Sequence, residues 1–262
     1  MPAARQLNVK SLSLLSSQEA VKVKRAAGFN APEALAAAAE TAAAAIGPGK
    51  ERWTIKTGTD PDARRVGTEP APGANAAGIV HTTVDEMIEL ERPEGMTDVR
   101  RDNPAFKTKR AEPVEFVIWQ LSADITAIKK EGDGDLHLVL RTDSGETMVA
   151  ESPTPHAPFV TDESPWLDAM KEVRDAIAEQ FGAKLAGAVL QSTAQGAAMF
   201  RAPATHPQGN AALFEALQPF KTKVDPTPAV VTGVGFFDRV HDQMGVAKNG
   251  IELHPILAIK FS

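Results

Sequence analysis

Carboxylates and imidazoles gather twice in the C-terminal half of the sequence. The first group is Asp133, Asp135 and His137, with Glu151 at the end of the next apolar run. The second is Asp238, His241, Asn249, Glu252 and His254. Oxygen and nitrogen donors of these types suit a hard or borderline divalent cation such as calcium, magnesium, manganese or zinc. Asp133 and Asp135 are two residues apart, as are Glu252 and His254, so in extended chain each pair shares a face and offers two ligands from one segment. Asp133, Asp135, Glu151, Asp238 and Glu252 are the candidate ligands. His241 and His254 are candidates for a general base or a further ligand. A plainer account stands beside this one. Asp-Gly turns form for backbone reasons alone, His137 fits an ordinary strand position, and His254-Pro255 fits a turn before a final strand.

Other chemistries find no support. The 262 residues include no cysteine, which removes disulfides, thiolate metal sites and a cysteine nucleophile. No Gly-x-Ser-x-Gly elbow and no His-Glu-x-x-His site occurs. Gly233-Val234-Gly235 lacks the third glycine and the helix start of a dinucleotide loop. The net charge of −6 argues against a chain-wide grip on phosphate, and aromatic residues at 5% with no tyrosine leave few stacking surfaces for bases. No apolar run approaches the roughly 20 residues of a membrane span. Ser11 to Leu15 is too short for a secretory h-region, so the expected location is cytoplasmic, with a non-standard export signal left open.

The elements expected to carry these residues fall into three regions. Residues 1–50 form a helical N-terminal arm, with two helices between 16 and 46 broken near Gly28, Asn30 and Pro32. Its alanine-rich half buries little, which suits packing on a partner or self-association. Residues 51–112 are an irregular linker region with a short strand at 51–57, a loop at 67–78 and a capped helix opening at Thr82-Thr83. Its basic stretch (Arg100, Arg101, Lys107, Lys109, Arg110) reads as a solvated linker or as a phosphate contact.

Residues 113–262 change character. A strand over 114–121 continues through 128. A meander follows over 136–141 and 147–151, with turns at Gly132-Asp133-Gly134 and Asp143-Ser144-Gly145. Trp166, Leu167, Met170, Val173, Ile177 and Phe181 recur at helical spacing, and Gly182 is placed to end that helix. A second helix is expected at 211–217. A strand at 229–237 has Gly233 and Gly235 as a bulge, and 256–261 closes the sheet. This order predicts an α+β protein whose C-terminal part is a small, bent barrel of the oligonucleotide/oligosaccharide-binding (OB) type with a packed helix.

Ala127 to Asp135, running into Asp-Gly-Asp, and Val149-Ala150-Glu151-Ser152-Pro153 resemble staphylococcal-nuclease-like domains. The resemblance covers roughly residues 113–261. It implies that Asp135 and Glu151 hold a calcium ion in a phosphodiesterase. The catalytic arginines of that family are missing. Glu146 stands where its first arginine lies, Thr154-Pro155 where its general-base glutamate lies, and Asp242-Gln243-Met244 where its Tyr-Gly-Arg segment lies. The resemblance therefore implies a metal-dependent nuclease-like hydrolase of altered mechanism. The alternative is a non-catalytic barrel that binds a protein, an oligosaccharide or a nucleic acid strand, or that serves in an assembly. From about residue 51 the chain also resembles an uncharacterised family of bacterial proteins. That likeness rests on Trp53 to Ala63, Gly134 to Leu140, Val231 to Asp238 and Asn249 to Pro255, and it implies no particular reaction.

Overall fold

The computed structural model describes residues 52–68, 71–96, 104–192, 220–240 and 243–262. The expected helices at 16–46 and 211–217, and Arg100 and Arg101, lie outside these residues. In chain order the elements are α1 (Trp53–Thr57), β1 (Ile79–His81), α2 (Val84–Met87), β2 (Ile118–Lys130), β3 (Leu136–Arg141), β4 (Thr147–Ser152), α3 (Leu167–Ser192), β5 (Phe220–Phe237) and β6 (Ile251–Phe261). Single 3-10 turns at Ala63–Arg65, Pro104–Lys107 and Val114–Phe116 link them.

The strands make one mixed six-stranded sheet in the order β1-β2-β3-β4-β6-β5, and β2 also pairs with β5. The sheet therefore curls into a barrel-like ring with α3 packed on it and β1 added in parallel beside the start of β2. The ring is uneven. β2 and β5 pair from Ile118↔Val234 to Lys130↔Phe220, while β4 and β6 meet in parallel only at Val149↔Glu252 and Ala150↔Leu253. The register of β5 against β6 shifts at Gly233 and Gly235, which is the expected bulge. A Cβ on Gly235 would stand 2.6 Å from the Val114 carbonyl oxygen, so only glycine permits that approach.

The core follows from alternation along these strands. Leu121, Ile125 and Ile128 of β2, Leu136, Leu138 and Leu140 of β3, and Met148 and Ala150 of β4 point inward. They meet Val231 of β5 and Ile251, Leu253 and Ile256 of β6. Val173, Ile177 and Phe181 of α3, and Val84 and Met87 of α2, fill the same core. Helix α2 begins in a capping box: the Thr83 hydroxyl accepts the Glu86 N–H at 3.1 Å, and the Glu86 carboxylate accepts the Thr83 N–H at 3.0 Å.

Several expectations are corrected. The short strand expected here does not form; Trp53–Thr57 is a helix. Five residues are too few for periodicity to decide, and the decision falls to tertiary contacts: the Trp53 indole donates to the Phe159 carbonyl at 2.8 Å, and Ile55, Lys56 and Thr57 are buried. Val114–Phe116 is a turn, and the strand starts at Ile118. Helix α3 runs through Gly182 and Gly187 to Ser192, because each glycine costs a helix only about 1 kcal/mol and alanines, leucines and a lysine between and after them favour helix. Strand β6 begins at Ile251, which places Glu252 and His254 within it. Arg110 is buried and salt-bridged to Asp60, so the basic stretch is not uniformly solvated. Among the described residues, no helix is long and apolar enough to cross a membrane.

Candidate metal centre

With Leu136, Leu138, Ala150, Leu253 and Ile251 turned inward, the intervening His137, Glu151, Glu252 and His254 point to the opposite face of the same strands. Register then aligns them. His137 lies directly opposite Glu151, and Phe236 lies opposite Glu252. This outer face is covered. Helix α1 brings Lys56, the β2–β3 turn brings Glu131 and Asp135, and the segment after β5 brings Asp238 and the Met244 carbonyl. Asp135, His137, Glu151, Glu252 and His254 are each no more than 5% exposed.

The turn that presents Asp135 is braced from behind. The Gly134 carbonyl accepts from Thr154 Oγ1 at 2.8 Å and from Arg174 Nη1 at 3.1 Å; the same Arg174 nitrogen donates to the Ser152 carbonyl at 2.7 Å. One guanidinium on α3 thus ties the Asp135 turn to the end of β4 beside Glu151. Gly134 has φ +92°, and a Cβ there would fall 2.4 Å from Thr154 Oγ1, so the turn needs glycine on both counts.

Two sets of ligand atoms lie within 4.8 Å of one another: Glu131, His137 and Glu151, and Asp135, Glu151 and His254. Hydrogen bonding distinguishes them. His137 Nδ1 faces Glu151 Oε1 at 2.9 Å and Glu131 Oε1 at 3.4 Å, and its Nε2 faces the Met244 carbonyl at 3.1 Å. Both nitrogens face acceptors, so both carry protons. Burial opposes that charge, but the hydrogen bonds to Glu131 and Glu151 outweigh it and raise the pKa to about 10. A doubly protonated imidazole has no lone pair for a metal.

His254 differs. Its Nδ1 faces Glu151 Oε2 at 3.0 Å and Glu252 Oε1 at 3.1 Å, which assigns the proton to Nδ1. Among the described residues Nε2 is buried without a hydrogen-bond partner, 3.7 Å from Asp135 Oδ2. Neither Asp135 oxygen has a hydrogen-bond partner among the described residues. A carboxylate that orients an imidazole through one nitrogen and leaves the other bare is the usual support of a metal-ligating histidine. Bonds of about 2.1–2.4 Å meeting at roughly 100–120° separate two donors by about 3.7 Å, so this pair fits a cation.

The charge balance points the same way. Burial, with the nearby Asp133 and Glu151, pushes the Asp135 carboxyl up to about 8 despite His254 and Lys56. Burial and repulsion from Glu151 and Asp238 hold Glu252 well above the usual carboxylate range. Glu151 goes the other way: burial would raise it, but Lys56, His137 and His254 pull it well down. Of Asp135, Glu151 and Glu252, then, Glu151 alone is held firmly ionised and the other two resist ionisation.

The remaining expected residues are placed as follows. Asp133 is half-buried, its Oδ1 3.4 Å from the Asp135 N–H in the turn, and it belongs to neither set of ligand atoms. Asp238 Oδ2 faces Lys56 Nζ at 3.6 Å. Asn249 is structural: its amide donates to the Met87 and Leu90 carbonyls at 3.0 Å each. His241 lies outside the described residues. Lys56 was not expected from sequence, because an apparent strand at 51–57 gives no reason to bury it. Glu146 is exposed, and Thr154 is committed to the Gly134 carbonyl. Compared with protein-family models, curated proteins and solved structures, the chain matches none of them.

Proposed function

We propose that the protein is a divalent-cation-dependent hydrolase of phosphodiesters on an OB-type, nuclease-like barrel. The strand order supports the barrel type: β2, β3 and β4 as a meander, α3 next, then β5 and β6, with β4 and β6 parallel. The observation that carries the reading is the buried, unpartnered pair of His254 Nε2 and the Asp135 carboxylate beside ionised Glu151. Asp135 and His254 would hold the cation, with Glu151 as the neighbouring ligand or the group that fixes His254. Bound there, a cation supplies Lewis acidity toward a phosphoryl oxygen.

The chain's own residues do the rest. Glu151 holds the His254 Nδ1–H and so presents Nε2. His137, clamped between Glu131, Glu151 and the Met244 carbonyl, fixes Glu151 in turn. Lys56 adds positive charge beside Glu151 and Asp238, and the raised Glu252 carboxyl can keep a proton near neutral pH.

The test is hydrolysis of single-stranded nucleic acid with calcium, magnesium, manganese or zinc. Turnover that needs one of these and falls at least about 10²-fold in Asp135→Ala and Glu151→Ala supports the reading. Turnover equal to those variants removes it. A second reading, a cation-stabilised binding or assembly module, is favoured by the burial of every ligand atom, since closed sites are the structural ones. Cation binding without turnover would identify it. Light scattering with and without residues 1–46 tests its assembly form; loss of the oligomer on truncation is the expected result.

A further inference from the structure

Two ligand sets that share one carboxylate, Glu151, have the composition of a two-cation centre, whose ions stand about 3.5–4 Å apart. The structure fills the space around the shared carboxylate differently. Lys56 Nζ lies 3.7 Å from Glu151 Oε2 and 3.6 Å from Asp238 Oδ2, within the field of Glu252 and Asp135 as well. His137 Nδ1 and Nε2 are taken up by Glu151 Oε1 at 2.9 Å and the Met244 carbonyl at 3.1 Å. Resting on the reading of this face as a cation centre, we propose that Lys56 is the protein's built-in second cation. It pairs with Glu151 and Asp238 and so limits the centre to a single metal ion, held at Asp135 and His254.

The physical means are visible around Lys56. An ammonium is a compact point charge on a flexible stem, a closer substitute for a metal ion than a guanidinium fork. It rests 5.3 Å above the Phe236 ring, whose negative face adds to its stabilisation. Its helix is anchored four residues earlier, where Arg52 forks onto Glu115 with both contacts at 2.7 Å. The second cation thus arrives on a segment outside the barrel strands, while the metal site is made by the barrel and its first turn.

Stoichiometry separates this from the alternatives. The full chain, stripped with chelator, is titrated calorimetrically with Mn²⁺ and separately with Zn²⁺, and the Mn²⁺ form is examined by electron paramagnetic resonance. The wild type should bind about one equivalent and show an uncoupled Mn²⁺ spectrum. Lys56→Gln should bind about two and show spin coupling between them. Lys56→Arg, which restores the charge, should return to about one. Lys56→Met, which keeps the stem against Phe236, is read in the same way if the glutamine variant does not fold. Two ions in the wild type overturn the proposal by themselves, whatever the variants do. A folded Lys56→Gln or Lys56→Met chain that still binds one also overturns it. Two ions in Lys56→Arg would show that charge is not the limiting property and overturn it as well. No bound ion in the wild type sinks the cation reading itself, an outcome distinct from failure of the Lys56 role.

Discussion

Two regions of this protein bury charge, and they do so in opposite ways. Around Glu115, every group is matched. Arg52 spends all its donors on both Glu115 oxygens and on the Phe106, Lys109 and Phe237 carbonyls, at 2.7–3.1 Å. Glu115 also accepts the Ala111 and Phe237 N–H groups, and Arg110 next to it forks onto Asp60. Around Asp135 the account does not balance. Among the described residues both its oxygens and His254 Nε2 are buried without partners, and the Asp133, Asp135 and Glu252 carboxyls are pushed upward. The first region is a clasp that fastens Arg52 and Glu115 to the end of β5 at Phe237. The second retains a destabilising surplus of carboxylate, which marks a place built to receive something positive.

The largest effect should come from breaking the clasp. Glu115→Ala strands Arg52 in the interior and should lower stability by about 3–5 kcal/mol in denaturant unfolding. Little change there would mean that the two regions are not different in kind. Asp135→Asn should do the reverse. It should weaken cation binding at least about 10²-fold, roughly 2.7 kcal/mol, yet stabilise the metal-free protein by roughly 1–3 kcal/mol near pH 8. The sign follows from the pKa. Asp135 is raised in the folded chain from 3.8 to about 8, so the unfolded state is ionised first and stability falls as pH rises between those values. The advantage of asparagine should accordingly shrink toward acid pH. A uniform gain at all pH values would contradict this assignment.

A smaller effect concerns protons. Below about pH 8 Asp135 keeps its proton until a cation displaces it, so binding at pH 7 should release close to one proton and less at alkaline pH. Calorimetry in buffers of different ionisation enthalpy reads this directly. The least effect is expected at the exposed pair Lys248–Glu89. Lys248→Ala should leave the unfolding midpoint unchanged, because solvent already screens that contact.

Part of the site is legible in the sequence. A hairpin centred on Ser144 places His137 opposite Glu151 by counting alone, and the register confirms that pairing. Alternation of Leu136, Leu138 and Leu140 assigns His137 to the other face. Two things are not legible. The short parallel contact between β4 and β6, which brings the two groups together, joins segments about a hundred residues apart and leaves no local pattern. Lys56 and Arg110 look like ordinary solvated cations, because their burial depends on Glu151, Asp238 and Asp60 far along the chain. The short helix that carries Lys56 reads as a strand for the same reason: its contacts, not its own residues, decide its conformation.

Anomalous diffraction can look directly for a cation held between Asp135 and His254. Crystals equilibrated with Mn²⁺ or Zn²⁺ and measured at the absorption edge should show a peak about 2.0–2.6 Å from His254 Nε2 and an Asp135 oxygen. That peak should vanish in Asp135→Asn. A peak at His137 instead, or none on this face in a crystal that admits the ion, would contradict it.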